Sequence, residues 1–464
     1  MSAAFAFPHA EPVAPDGGID APHAQAGGVT ADALPRVVRR IAIPAVASNL
    51  LMTLFASADA YWVGTRIGSQ GLAAVSTSVF WIWVAVSIAE MVSVGLTAVA
   101  ARRHGERRAD SAASAVGAAI VFSLILGSAL GLAGLLGLRL LFVVMHTPAE
   151  VTVLGQAYLR TYFAGLPLIF GYFAVDAAFR AAGDTRTPLA LLTTSVIITL
   201  VLDPVLILGL GGAPRLGIAG ASAALLATRG TAFLIGIVIL IRRRMVVWRG
   251  FQPETIARIA QVGLPTALTG VLFSLIYVGM TRTTTTFGTS ALAALGVGHR
   301  VESWLYMIGV GFGAGAAAIV GQNIGAKRLD RARHAGWMTM TYAMLPALAM
   351  CIASLTIPAW MASRFSNDAV VIAETARYVR INAIAQLVLP AEVVLEGALG
   401  GAGDTLPPML TSTALTALRI PLAAWSAVRW GTAGIWWTIS VTAVARAIAM
   451  MLLWRSGRWE RKSL

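Results

Sequence analysis

The chain is expected to fold as an all-α integral membrane protein. The expected architecture is twelve transmembrane helices in two six-helix bundles, related by a pseudo-two-fold axis along the membrane normal. Three observations carry this expectation: apolar composition, runs of bilayer length, and an internal repeat that relates the two halves at an offset of about 220. Of 464 residues, 57% are hydrophobic and 12% charged, with a mean hydropathy of +0.76. A soluble domain carries roughly 25% charged residues, so about half the usual charge is missing.

The apolar runs place spans near 39–65, 72–101, 112–139, 157–182, 187–210, 217–241, 258–286, 294–322, 335–362, 378–402, 406–428 and 433–455. A membrane core of about 30 Å needs about 20 residues at a helical rise of about 1.5 Å. Barrel strands need only about 10, and backbone groups in lipid must be bonded internally, so helices are expected. The loops on one side hold Arg36, Arg39 and Arg40, then Arg102, Arg103, Arg107 and Arg108, then Arg242 to Arg244 and Arg249. The same side takes Lys327, Arg328, Arg331 and Arg333, and finally Arg455, Arg458, Arg461 and Lys462. By the positive-inside rule that side is cytoplasmic, which puts both termini inside a plasma (inner) membrane. These loops account for the net charge of +14 without a nucleic-acid partner.

Residues 1–35 are rich in Ala, Pro and Gly and have no continuous apolar core. They are expected to form a disordered tail rather than a signal peptide. The remaining divisions are a first lobe at 36–245, a cytoplasmic linker at 246–257, a second lobe at 258–455 and a basic tail at 456–464. The single cysteine, Cys351, excludes an internal disulfide.

The repeat is legible in Ala182-Gly183-Asp184-Thr185, which recurs as Ala402-Gly403-Asp404-Thr405. Pro188 with Pro408, Asp176 with Glu396, and Gly105 and Asp110 with Gly325 and Asp330 keep the same offset of 220. Pro44 pairs with Pro265 at 221, and Asp203-Pro204 falls opposite Ile420-Pro421 at 217. An even number of helices per half gives the halves one topology, the arrangement of alternating-access carriers.

Several stretches, in this order and spacing, resemble the multidrug and toxic compound extrusion family. They are Leu54 to Gly64 in span one, Arg180 to Thr185 after span four, and Leu202-Asp203-Pro204 in span five. Arg300-Val301-Glu302-Ser303 in span eight and Glu396 to Thr405 also fit. Asp59 in span one and Asp203 before a proline in span five resemble the DinF-like branch. The resemblance implies cation-driven efflux by rocking between two states, with Asp59 and Asp203 as the core of the coupling site. The family's span five usually has an asparagine four residues before its aspartate; this chain has Thr199.

The residues themselves point the same way. A carboxylate at mid-bilayer costs about 2.5–3.5 kcal/mol on insertion scales, so each asks for a reason. Asp59 and Asp203 both lie roughly 10 Å below the outer surface, counted at about 1.5 Å per residue, and are expected to share a pocket. Thr199 adds an oxygen donor one turn away. The coupling ion is expected to be a proton, with sodium the alternative, since carboxylates serve both. Pro44 is a candidate gating kink, because bending span one there moves Asp59. Asp59's repeat position holds Gly279 or Met280, while Arg282 and Arg419 stand near the counterparts of the two acids. Cation coupling is therefore expected in the first half. The two arginines either answer charge across the cleft or merely snorkel outward.

Lower-ranked acids are Glu90, Asp176, Glu302 and Glu396. Asp176 and Glu396, as repeat mates, are expected to meet a shared structural need such as pairing with a nearby arginine. The two Gly-Asp-Thr segments read as structural turns. No Walker loop or metal-ligand spacing appears, so the chain is read as no enzyme, without cofactor or metal. Its expected partners are membrane lipid and a small organic substrate, often cationic, and it is expected to be a monomer. A lipid-linked precursor flippase, or a channel or scaffold without coupling, are the competing functions.

Overall fold

A computed structural model describes residues 24–67, 69–145 and 147–462. The side chains at 24–27, 56–61, 64–66, 69, 72, 278 and 289 lie outside the described residues. After a short α1 (Ala24–Ala31), the first lobe holds α2 (Leu34–Arg66), α3 (Ser69–Gly105), α4 (Ala109–Leu136) and α5 (Leu138–Val144). It continues with α6 (Ala149–Ala164), α7 (Leu166–Ala181), α8 (Arg186–Leu208) and α9 (Ile218–Arg242). The second lobe repeats the order: α10 (Pro253–Thr285), α11 (Thr289–Gly325), α12 (Leu329–Thr356), α13 (Pro358–Ser363) and α14 (Ala369–Ile381). It ends with α15 (Ala383–Ala402), α16 (Leu406–Ala417), α17 (Arg419–Arg455) and a 3-10 turn at Arg458–Arg461.

Among the described residues, ten helical stretches are long and apolar enough to span, and α6 with α7, bent by 53°, make an eleventh. The last stretch, Leu406–Arg455, has 50 residues. At about 1.5 Å each that is more than twice a membrane core of about 30 Å. It divides at Gly431, whose φ of 59° and ψ of −143° are not helical. Twelve crossings result.

Local detail departs from the sequence expectation in three places. Residues 24–35 are not all disordered tail: α1 forms and Val29 is buried. Its carbonyls are held from far along the chain, Thr30 by Arg328 at 2.6 Å and Val29 by Arg331 at 3.2 Å. Residues 1–23 of that tail lie outside the described residues. Spans four and ten are each two helices, interrupted at Gly165 and Asn382. The inter-lobe connection runs from Arg243 to Gln252 rather than 246–257, because Pro253 already starts α10. A proline at the first helical turn gives up no intrahelical bond there.

The pseudo-symmetry extends to single hydrogen bonds. Gly183 (φ 83°) and Gly403 (φ 81°) end α7 and α15 in the left-handed conformation that glycine adopts without steric cost. Thr185 then donates to the Ile41 carbonyl at 2.8 Å, and Thr405 to the Val262 carbonyl at 2.6 Å. The acceptors lie just before Pro44 and Pro265. Each proline removes one intrahelical donor, which loosens the helix where the threonine binds. Both threonines are buried, so Thr185→Val and Thr405→Val are each expected to lower stability by about 1–2 kcal/mol. The two losses should add, since the sites share no partners. Thermal unfolding in detergent reads this, and a null effect of either variant would refute it.

Asp184 caps α8 by accepting from the Arg186 and Thr187 backbone N–H groups at 3.1 and 3.0 Å. Burial alone would raise its carboxyl. Hydrogen bonds from Thr187 and Arg243 outweigh burial and hold it below the usual carboxylate range. Both segments are thus structural turns, as their sequence suggested.

The lobes meet at the end that carries the arginine-rich loops. There α3 packs on α10 and α11, and α2 on α11. The meeting is itself symmetric: Gly105 lies on the Gln322 carbonyl, and its repeat mate Gly325 on the Arg102 carbonyl, too close for any Cβ. Gly95 on the Ile259 carbonyl and Gly263 on the Met91 carbonyl, which are not repeat mates, make a reciprocal contact as close between α3 and α10.

Candidate functional site

Asp203 sits in the half of α8 away from Arg186, with no exposed surface. Thr199, one turn earlier, is also buried; it donates to the Ser195 carbonyl at 2.7 Å, and its hydroxyl shares a 2.7 Å bond with that of Thr228 on α9. Ser195 donates to the Thr228 carbonyl at 3.2 Å. A buried polar ladder therefore joins α8 to α9 directly beneath Asp203. Asp59 is carried by α2, but its side chain lies outside the described residues, so the expected pairing of the two acids does too. Pro44 lies inside α2, upstream of Asp59 and nearer the basic end.

A second group in the first lobe lies nearer the basic end. Arg180 pairs with Asp176 at 2.8 Å and donates to the Ser93 hydroxyl at 2.7 Å. Glu90, from α3, faces the same arginine. Asp176 thus has the arginine partner expected of it. Arg229 of α9 is buried, stacks over the Tyr172 ring at 4.9 Å and donates to the Met52 sulfur at 2.6 Å.

The second lobe answers differently. Its buried centre is an ion pair: Arg446 of α17 binds Glu392 of α15 at 3.0 Å, with side chains only 9% and 7% exposed. Arg446 also donates to the Thr416 hydroxyl at 3.1 Å. Arg419 is buried too, donating to the Thr442 hydroxyl at 2.7 Å and to the Ile439 carbonyl at 3.5 Å, so it is no outward snorkel. Arg282 is exposed near the far end of α10. Glu302 lies 3.6 Å from the His299 ring nitrogen and faces Tyr378; its local partner is a histidine.

Glu396 corrects the expectation drawn from its mate. The position of Arg180 is occupied by Gly400 in the second lobe, so Glu396 has no arginine on its own helix. The cation within its reach is Arg446, which Glu392 already binds. Tyr306 of α11, 44% exposed, stands within electrostatic range of both Glu396 and Glu90 of the first lobe.

Arg229, Glu392 and Arg446 were not anticipated from the sequence. The signal was present: at the offset of 217 that holds from Thr199 onward, Thr199 aligns with Thr416 and Arg229 with Arg446. At 220, Tyr172 aligns with Glu392. The same framework thus holds arginine over an aromatic ring in one lobe and against a carboxylate in the other. The expected contrast, acids in the first lobe and bases in the second, does not hold in that simple form.

Two bundles of one topology, joined at one end and each holding buried charge among its own helices, define a two-lobed membrane carrier. The MatE family profile matches residues 44–205 and again 265–425, which is the internal repeat found a second way. The chain belongs to the MatE family, the multidrug and toxic compound extrusion transporters, whose members are transporters and not enzymes. Among curated relatives, it is 28% identical over 300 residues to a probable multidrug resistance protein YoeA of Bacillus subtilis, covering 63% of this chain and 65% of that protein. It is 26% identical over 432 residues to the FAD transporter of Shewanella oneidensis, covering 92% and 95%. A MATE crystal structure in the straight conformation superposes with a TM-score of 0.87 at 22% identity, over 93% of this chain and 98% of that one.

Proposed function

We propose that the chain is a secondary active exporter of small organic molecules that takes up protons in exchange, with Asp203 as the coupling group. The observation that carries this is a carboxylate with no exposed surface inside an apolar span. Such a group is costly unless function retains it. Asp59 and Thr199 complete the coupling site in this reading, which follows the DinF-like branch, and Pro44 is the bend that moves Asp59. In the second lobe the buried acid Glu392 is held in an ion pair by Arg446, which favours coupling through the first lobe. The arginine-rich end is cytoplasmic by the positive-inside rule, in an inner membrane with both termini inside. With that end closed by the inter-lobe packing, the structure is in this reading the outward-facing state of an alternating-access cycle.

The test is dye efflux from everted vesicles under an imposed proton or sodium gradient. Uphill transport driven by the proton gradient in sodium-free buffer is expected. Transport that responds to sodium alone would assign the same site to sodium, and transport indifferent to both would sink the exchange mechanism.

A further inference from the structure

At the basic end of the first lobe, an open surface groove of about 570 Å³ lies between α2 and α8, lined by Arg36, Arg39, Arg40, Ile43, Pro44 and Arg186. A smaller one of about 250 Å³ continues it, sharing Arg40 and Arg186 and reaching Gly183 and Asp184. Asp32 answers Arg40 at 3.1 Å, and Arg243 answers Asp184 at 2.8 Å. Arg36, Arg39 and Arg186 are exposed and, among the described residues, form no ion pair with a carboxylate.

We propose that this groove is a binding site for the headgroup of an anionic phospholipid. Both helices run from charge to apolar surface on one face. On α2, Arg36 and Arg39 are followed at a spacing of seven from the first by Ile43, which is 56% exposed. On α8, Arg186 is followed along the same face by Ile197 and Val201, 58% and 65% exposed. The rise from Arg186 to Ile197 is about 16 Å along a helix, a stretch suited to an acyl chain below its headgroup. Guanidinium groups bind phosphate oxygens in pairs, and basic pockets between spans at the membrane surface favour anionic headgroups.

The repeat supplies an internal control. The mates of Arg36, Arg39, Arg40 and Arg186 in the second lobe are Ala257, Ala260, Gln261 and Leu406, while Ile43 keeps an apolar mate in Leu264. The second lobe therefore builds the same helices without arginine at these positions while keeping the apolar one. The site adjoins Pro44, so an occupant would touch the one helix segment already singled out as a hinge.

The experiment is native mass spectrometry of the full chain in detergent, titrated with phosphatidylglycerol or phosphatidylcholine. One phosphatidylglycerol should bind at least tenfold more tightly than phosphatidylcholine. Each arginine near a membrane surface contributes roughly fivefold in affinity, so R36Q/R39Q/R186Q should lose roughly a hundredfold. R242Q/R244Q/R249Q, on the loop after α9, should lose little. Equal binding of the two lipids, an equal loss in the loop variant, or displacement by soluble glycerol phosphate at the lipid's own concentration would overturn the proposal. Should the triple variant fail to fold, the wild-type preference measured against rising salt decides: it must fall steeply, and a preference insensitive to salt refutes the site. Asp203→Asn should retain the lipid in full, which separates this outcome from any failure of the coupling mechanism.

Discussion

Replacing Asp203 by asparagine is expected to abolish uphill efflux, by tenfold or more, while leaving the protein at least as stable as before. The two effects have one cause. Asp203 has no exposed surface and lies in an apolar helix. A carboxylate there costs about 2.5–3.5 kcal/mol on insertion scales, more than an amide of the same shape. An asparagine removes that cost and can still hydrogen-bond the neighbouring helices, but it cannot carry the charge that a coupling ion must neutralise. Asp203→Glu should retain partial transport. The measurement pairs gradient-driven efflux in everted vesicles with thermal unfolding of the purified variant. Efflux at the wild-type level in Asp203→Asn would remove Asp203 from the mechanism. A large loss of stability would show instead that the carboxylate is structural.

The second large effect is expected at Arg446, and it is one of stability. Arg446→Gln leaves Glu392, whose side chain is only 7% exposed, with its cation gone. Breaking a buried pair on one side costs about 3–5 kcal/mol, because the remaining charge is left without compensation. Thr416 loses its bond from the guanidinium as well. The double replacement Glu392→Leu with Arg446→Met removes both charges at similar volume and should recover most of the loss, since such swaps are often neutral. Unfolding followed by tryptophan fluorescence, arranged as a double-mutant cycle, reads the coupling energy. Additive losses in the double variant would show that the pair is not coupled.

The sequence made the fold legible because two independent signals agreed. Apolar length set the number of crossings, and Gly-Asp-Thr at an offset of 220 set the symmetry. The turns themselves were readable, since glycine at positive φ followed by a capping aspartate acts within a few residues. The bend at Gly165 is also marked locally, by Pro167 in the first turn of α7. What escaped was decided at long range. Helix α1 has a composition suited to disorder and is fixed by Arg328 and Arg331, from the opposite half of the chain. Glu392 and Arg446 lie on helices that are not neighbours in sequence, and they neutralise one another only once α15 and α17 pack. The correspondence of Arg229 with Arg446 is itself written in the sequence, at the shifted offset of 217.

The ties from Thr185 to Ile41 and from Thr405 to Val262 also bear on how the protein is made. Each closes a long loop within its own half, and neither needs a partner from the other. The first half leaves the ribosome with its locking interaction complete before the second half exists. Biogenesis can then proceed as two successive insertions of the same kind, with docking of the halves as a separate last event. The reciprocal glycine contacts form only at that event, so a defect at Gly105 or Gly325 should strand two finished halves rather than unravel either one.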